Sequence, residues 1–279
     1  MKKFIKKVFL LILPIIPFIF LFAFSSNDEE LKIKSYSELP SKNNIIFLGD
    51  SKPLFGLDYS ILKNKFPEYN IVNLSIWAKN PKYVYSVYKE IFKEKKISES
   101  IILYNLTFRH ILNRTQITYN GISNKTKIKV ILKKILGIEY DFNYTKEQNH
   151  FILIKDSDFG NFKDGFNFYT GLESNYIDDF QTQLNYIDSL KVFFNQKHNH
   201  FITTELPHRQ PLDSIYKNLN YYKKYRQTVD SKFPENLYFG YIDSLNNKNY
   251  WFNQDHLNMQ GAEAFTKILI PYISNKTKP

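Results

Sequence analysis

Two short segments of this chain carry residues that can do chemistry together. Gly49-Asp50-Ser51 follows the apolar run Ile45–Leu48, and Asp255-His256-Leu257-Asn258 lies near the C-terminal end. A serine hydroxyl is a weak nucleophile at its own pKa and needs a neighbouring base. An imidazole is such a base near neutral pH, and a carboxylate beside it fixes the tautomer and stabilises the imidazolium. Ser51, His256 and Asp255 are therefore the candidate catalytic set, and the chemistry they suit is attack by a base-activated serine. Most of the chain separates Ser51 from His256, so only the fold can bring them together.

Other chemistries are poorly served. The chain has no cysteine, which excludes a disulfide framework, a thiolate zinc site, an iron–sulfur cluster and a cysteine nucleophile. His110, His150, His198 and His200 show no metal-ligand spacing on a common helix face, so no metal is expected. The glycines form no phosphate loop, and the serine chemistry requires no cofactor. The net charge of +11 is dispersed, and four of the lysines lie in the first seven residues. Such an excess does not imply nucleic-acid binding. Arg109, just past a predicted strand, is a candidate contact for an anionic substrate group. Lys125–Lys134 holds five lysines among Ile128, Val130, Ile131 and Leu132. It reads either as a solvated helix face or as an amphipathic helix lying on an anionic membrane.

The elements that must position Ser51 and His256 follow from the pattern. Length 279 suits one catalytic domain with a short appendage. Lys2, Lys3, Lys6 and Lys7 precede an uncharged apolar run, Val8–Phe24. This is an export signal, either retained as a single-pass anchor or cleaved near Ala23-Phe24-Ser25. The lysines hold the N-terminus in the cytoplasm, which puts the catalytic domain on the outer face of the membrane. Residues 1–25 are thus the signal anchor or signal peptide, 26–44 a polar tether, and 45–273 the α/β domain. Ile45–Leu48, Asn70–Leu74, Ser100–Leu106, His200–Thr204 and Leu237–Ile242 read as strands. Helices are expected over Asp58–Phe66, from Asn80-Pro81, over Ile177–Phe194, Leu212–Phe233 and Met259–Ile270. Residues of about 107–175, rich in Asn, Lys, Tyr and Thr, break this rhythm and read as an insertion. Alternating strand and helix predict a parallel sheet covered on both faces, with the site at the carboxyl ends of the strands.

Gly49-Asp50-Ser51 and His256 together resemble the first and last blocks of the SGNH (GDSL-type) hydrolases. Phe47-Leu-Gly-Asp-Ser-Lys52, Gly56-Leu57-Asp58, Asn73-Leu74-Ser75 and Asp255-His-Leu-Asn-Met-Gln-Gly-Ala262 are similar to the DltD-like and AlgX/AlgJ-like exported proteins. The resemblance covers about 43–106 and 198–273. It implies an SGNH-like (flavodoxin-like) three-layer α/β/α fold with a mainly parallel five-stranded sheet. It also implies Ser51 as nucleophile, His256 as base, and an oxyanion hole drawing on Asn105 and the Ala78 N–H. Pro207-His208 resembles a Pro-x-His element of that branch, which implies a substrate contact at His208. Several members work beside membrane-bound O-acyltransferases on cell-surface polymers. The implied substrate is an acyl ester or glycan of the cell envelope, and the implied partner a membrane-bound O-acyltransferase.

The chain departs from the family pattern in three places. The aspartate three places before the histidine is Asn253, which leaves Asp255 or Asn253 to orient His256. The second block, Asn73-Leu-Ser-Ile-Trp-Ala-Lys79, has no glycine, and Asn105 lacks its usual neighbours. A weakened oxyanion hole also fits a rival reading: a non-catalytic accessory or glycan-binding protein on a decayed SGNH scaffold.

Overall fold

The computed structural model describes residues 40–76, 79–92, 97–111, 128, 131, 132, 135, 177–196, 198–252 and 255–277. Its contacts divide the chain into two units, Met1–Leu39 with Asn120–Asp141 and Pro40–Tyr119 with Phe142–Pro279. The apolar N-terminal run and most of the insertion lie outside the described residues. Among the described residues no helix is long and apolar enough to cross a membrane. In the first unit, Ile128, Ile131 and Ile135 are helical and exposed.

The second unit is built on a five-stranded sheet of β1 (Asn44–Leu48), β2 (Asn70–Asn73), β3 (Ile101–Asn105), β4 (His200–Glu205) and β5 (Leu237–Tyr238). The order is β2-β1-β3-β4-β5 and every pairing is parallel. This is the α/β fold expected from the alternation. β1 and β3 are buried throughout, which is why they read as unbroken apolar runs rather than alternating ones.

Helices cover the sheet. They are α1 (Ser51–Phe55), α2 (Tyr59–Lys65), α3 (Pro81–Ile91), α4 (Phe108–Ile111), α5 (Ile177–Asn195), α6 (Gln210–Asn218), α7 (Asn220–Lys232) and α8 (Met259–Thr277). On one face Ile45, Phe47, Ile71, Ile101, Leu103 and Ile202 pack against Leu62 of α2 and Phe265, Leu269 and Ile273 of α8. On the other, Phe201 stacks on Phe194 of α5, which meets Phe92 beyond α3 edge-on. Caps set the helix starts. Asp58 accepts from the Ser60 and Ile61 N–H groups, and Asn80 accepts from Tyr83 with Pro81 in the first turn.

Three elements differ from expectation. The helix expected over 212–233 is two helices broken at Leu219, whose ψ of 121° is extended. The fifth strand ends at Tyr238 rather than 242. Gly240 has φ +38°, and a β-carbon there would run into the Tyr238 ring, so the chain turns away from the sheet. The last helix runs on through Pro271 to Thr277.

Candidate active site

Ser51 is the first residue of α1, directly after β1 at the carboxyl edge of the sheet. The turn that presents it needs Gly49. Its φ of +126° suits only glycine, and an added β-carbon would lie 2.8 Å from the Asn105 carbonyl oxygen. Asp50 then caps α1. One carboxylate oxygen accepts the Lys52 N–H at 3.0 Å and the Asn105 side-chain N–H at 2.7 Å. The other accepts the Thr107 hydroxyl at 2.9 Å. Asp50 therefore ties the serine turn to the end of β3.

His256 reaches the same point from the other end of the chain. Trp251 and Leu257 form an antiparallel bridge, and the Phe252 N–H donates to the His256 carbonyl at 2.9 Å. The Trp251 indole N–H donates to the Leu245 carbonyl at 2.5 Å and anchors this loop in the core. Asn258 closes it onto α8 by accepting the Gly261 N–H at 3.0 Å. A β-carbon on Gly261 would lie 2.0 Å from the Tyr250 carbonyl oxygen, so glycine permits the close approach of helix and loop. The Asp58 N–H donates to Thr266 of α8 at 2.8 Å and fixes that helix beside α2. The result places Ser51 Oγ 2.7 Å from His256 Nε2. With the ring proton on Nδ1, Nε2 accepts the serine hydroxyl proton. The Phe55 ring stands edge-on to the imidazole at 6.3 Å and walls it on one side.

Beneath this pair lies a set of buried charges. Lys52 Nζ is 2.7 Å from Asp255 Oδ1, with side chains 4% and 8% exposed. The same ammonium donates to the Pro207 carbonyl at 3.2 Å and reaches the Leu206 carbonyl at 3.4 Å. Glu205, at the end of β4, pairs with Arg226 at 2.7 Å. Burial pushes the Glu205 carboxyl up to about 7, against the pull of Arg226 and Lys52.

The other candidate residues fall as follows. Asp255 forms an ion pair with Lys52. Asn105 is fully buried; its amide N–H goes to Asp50 and its oxygen accepts the Leu206 N–H at 3.0 Å. It braces the end of β1 against the residue that follows β4. His208 is 1% exposed, 3.4 Å from Asp213, and edge-on to Tyr216 at 5.2 Å. The structure places the ring in the core rather than at the rim, with α6 folded over it. Burial pushes the His208 imidazole below its ordinary pKa. Arg109 belongs to α4, but its side chain is outside the described residues, as are Ala78 and Asn253. Among the described residues no group of three or more metal-ligating side chains converges. Sequence reading passed over Lys52 and Glu205. The one available signal was that Lys52 directly follows Ser51.

No family model matches the sequence, and no curated protein matches it. Solved structures with a similar chain path include three bacterial proteins. One, from Streptococcus pneumonia, is provisionally described as a platelet activating factor; it is 12% identical with a TM-score of 0.48, over 88% of this chain and 92% of that one. A provisionally named acylhydrolase from Bacteroides fragilis is 11% identical with a TM-score of 0.46, over 91% of this chain and 100% of that one. A GDSL-like lipase from Bacteroides thetaiotaomicron is 9% identical with a TM-score of 0.46, over 91% and 99% of the two chains.

Proposed function

We propose that this protein is an exported serine esterase or O-acyltransferase acting on acyl esters of cell-envelope polysaccharide. The observation that carries the reading is the 2.7 Å contact between Ser51 Oγ and His256 Nε2, made by residues from opposite ends of the domain. Ser51 Oγ attacks the ester carbonyl carbon while its proton passes to His256. The tetrahedral adduct then collapses, the carbon–oxygen bond to the leaving group breaks, and His256 returns the proton to the departing alkoxide. Backbone N–H groups at Ser51 and Ala78 serve the oxyanion. The acyl group now sits on Ser51. Water deprotonated by His256 releases it as an acid; a glycan hydroxyl deprotonated in the same way carries it off as a new ester.

The basic and apolar N-terminus supports a single-pass anchor or cleaved signal with the catalytic domain outside the cytoplasm. An exported site would meet envelope polymers, and the partner in this reading is a membrane-bound O-acyltransferase. The rival reading, a non-catalytic accessory protein, draws on Asn105, whose amide is committed to Asp50. A fluorophosphonate serine probe separates the two. The enzyme reading expects a covalent adduct on Ser51, located by peptide mass mapping and lost in Ser51→Ala and His256→Ala at unchanged circular dichroism. A folded protein that takes no adduct is the accessory.

A further inference from the structure

Lys52 and Asp255 flank the reacting pair symmetrically. Lys52 is one residue past Ser51 and Asp255 one residue before His256, and their side chains meet at 2.7 Å while almost fully buried. The pair therefore joins the same two loops that the serine–imidazole contact joins. Burying an ammonium and a carboxylate is costly unless each charge is compensated, and here each compensates the other. The remaining charged and titratable groups around them are Glu205 with Arg226, Asp213 with His208 and Lys217, and Asp50 within the serine turn. Removing either partner would leave one uncancelled charge on the residue adjacent to Ser51 or to His256.

We propose that Lys52 and Asp255 are positioning residues: their ion pair clamps the serine loop to the histidine loop and cancels the charge on the residue next to each member of the reacting pair. This rests on the reading of Ser51 and His256 as nucleophile and base. It assigns Asp255 a task shared with the ammonium of the nucleophile's own neighbour. It also accounts for a lysine at a position where the turn buries it.

The test uses opposite charge removals. Lys52→Met leaves the Asp255 carboxylate uncancelled, which favours imidazolium and raises the His256 pKa by about one unit or more. Asp255→Asn leaves the Lys52 ammonium and lowers that pKa by a similar amount, about one unit. The double variant returns it close to the wild-type value, and Lys52→Arg, which keeps the charge, leaves it there. The readout is an imidazole NMR titration of the full-length protein in detergent, with the His256 signal assigned from His256→Gln. The pH profile of fluorophosphonate labelling is followed in parallel. Its rise should move to higher pH in Lys52→Met and to lower pH in Asp255→Asn. A purely structural pair would move both variants the same way or neither, and either result overturns the proposal. If the methionine variant does not fold, a His256 pKa displaced in Lys52→Arg overturns it as well. Opposite shifts in a protein that takes no probe would remove the acyl-enzyme reading and leave the positioning role. Efficient labelling with no shifts would do the reverse.

Discussion

Replacing Asn105 by alanine separates a brace from an oxyanion donor. The substitution removes the bond from the Asn105 amide to the Asp50 carboxylate, made at 2.7 Å with no exposure of the asparagine. A hydrogen bond to a charged group contributes about 1.5–3 kcal/mol. The substitution also strands the Leu206 N–H, which donates to Asn105 at 3.0 Å and belongs to a residue only 2% exposed. An unsatisfied buried donor costs about 1–3 kcal/mol. Asp50 keeps the Lys52 N–H and the Thr107 hydroxyl, so the cap of α1 survives. The expected loss is therefore about 3–5 kcal/mol, or a fall in Tm of about 10 °C for a domain of this size. Urea denaturation followed by circular dichroism reads the stability, and the labelling rate of Ser51 is measured well below the new Tm. The brace predicts a large loss of stability with a modest change in labelling. An unchanged Tm with labelling slowed by about 100-fold or more, the size expected for a lost oxyanion donor, would refute the reasoning.

Further expectations follow from other contacts. Gly261→Ala drives a β-carbon to 2.0 Å from the Tyr250 carbonyl oxygen and should cost about 3 kcal/mol in urea denaturation; a variant as stable as wild type would mean that α8 does not approach the loop this closely. Phe265→Ala empties a fully buried site edge-on to Phe239 at 5.1 Å and should cost about 3–5 kcal/mol by the same assay. Glu205 sets a pH dependence. Its carboxyl is held at about 7 when folded against 4.5 as a free side chain, so the folded state binds the extra proton. The resulting stabilisation is complete below about 4.5 and is lost as pH rises through 7, on the order of 3 kcal/mol in all. Denaturation midpoints across pH 4–8 should therefore fall relative to Glu205→Gln. A wild type that gains on the variant over that window would show that the Arg226 ion pair outweighs burial.

The central strands β1 and β3 were readable because they are dense apolar runs. Asp58 and Asn80-Pro81 announced two helix starts through chemistry that acts within four residues. The break at Leu219 was not readable, since no glycine or proline marks it. The early end of β5 depends on Gly240 meeting Tyr238, a contact that is local but needs the turn conformation to be seen. At the site, Ser51 and His256 stood out by residue type and motif. The tasks of Asn105, His208 and Lys52 did not, because each is set by a partner that only tertiary structure supplies. Asn105 meets Asp50 across adjacent strands, His208 is covered by α6, and Lys52 finds Asp255 at the far end of the chain.

The strand order explains why the asparagine is a brace in this chain. In an order of β2-β1-β3-β4-β5 the chain leaves β1 toward one edge of the sheet and leaves β3 toward the other. A crevice opens above the carboxyl ends of β1 and β3, which is where α/β proteins place their ligands. Here the floor of that crevice is closed by Asp50 at the end of β1 bonding to Asn105 and Thr107 at the end of β3. Gly49 permits this closure, because a side chain there would strike the Asn105 backbone. Ser51 is thus mounted one residue above a sealed floor, and His256 is brought over it by a loop that the core anchors through Trp251.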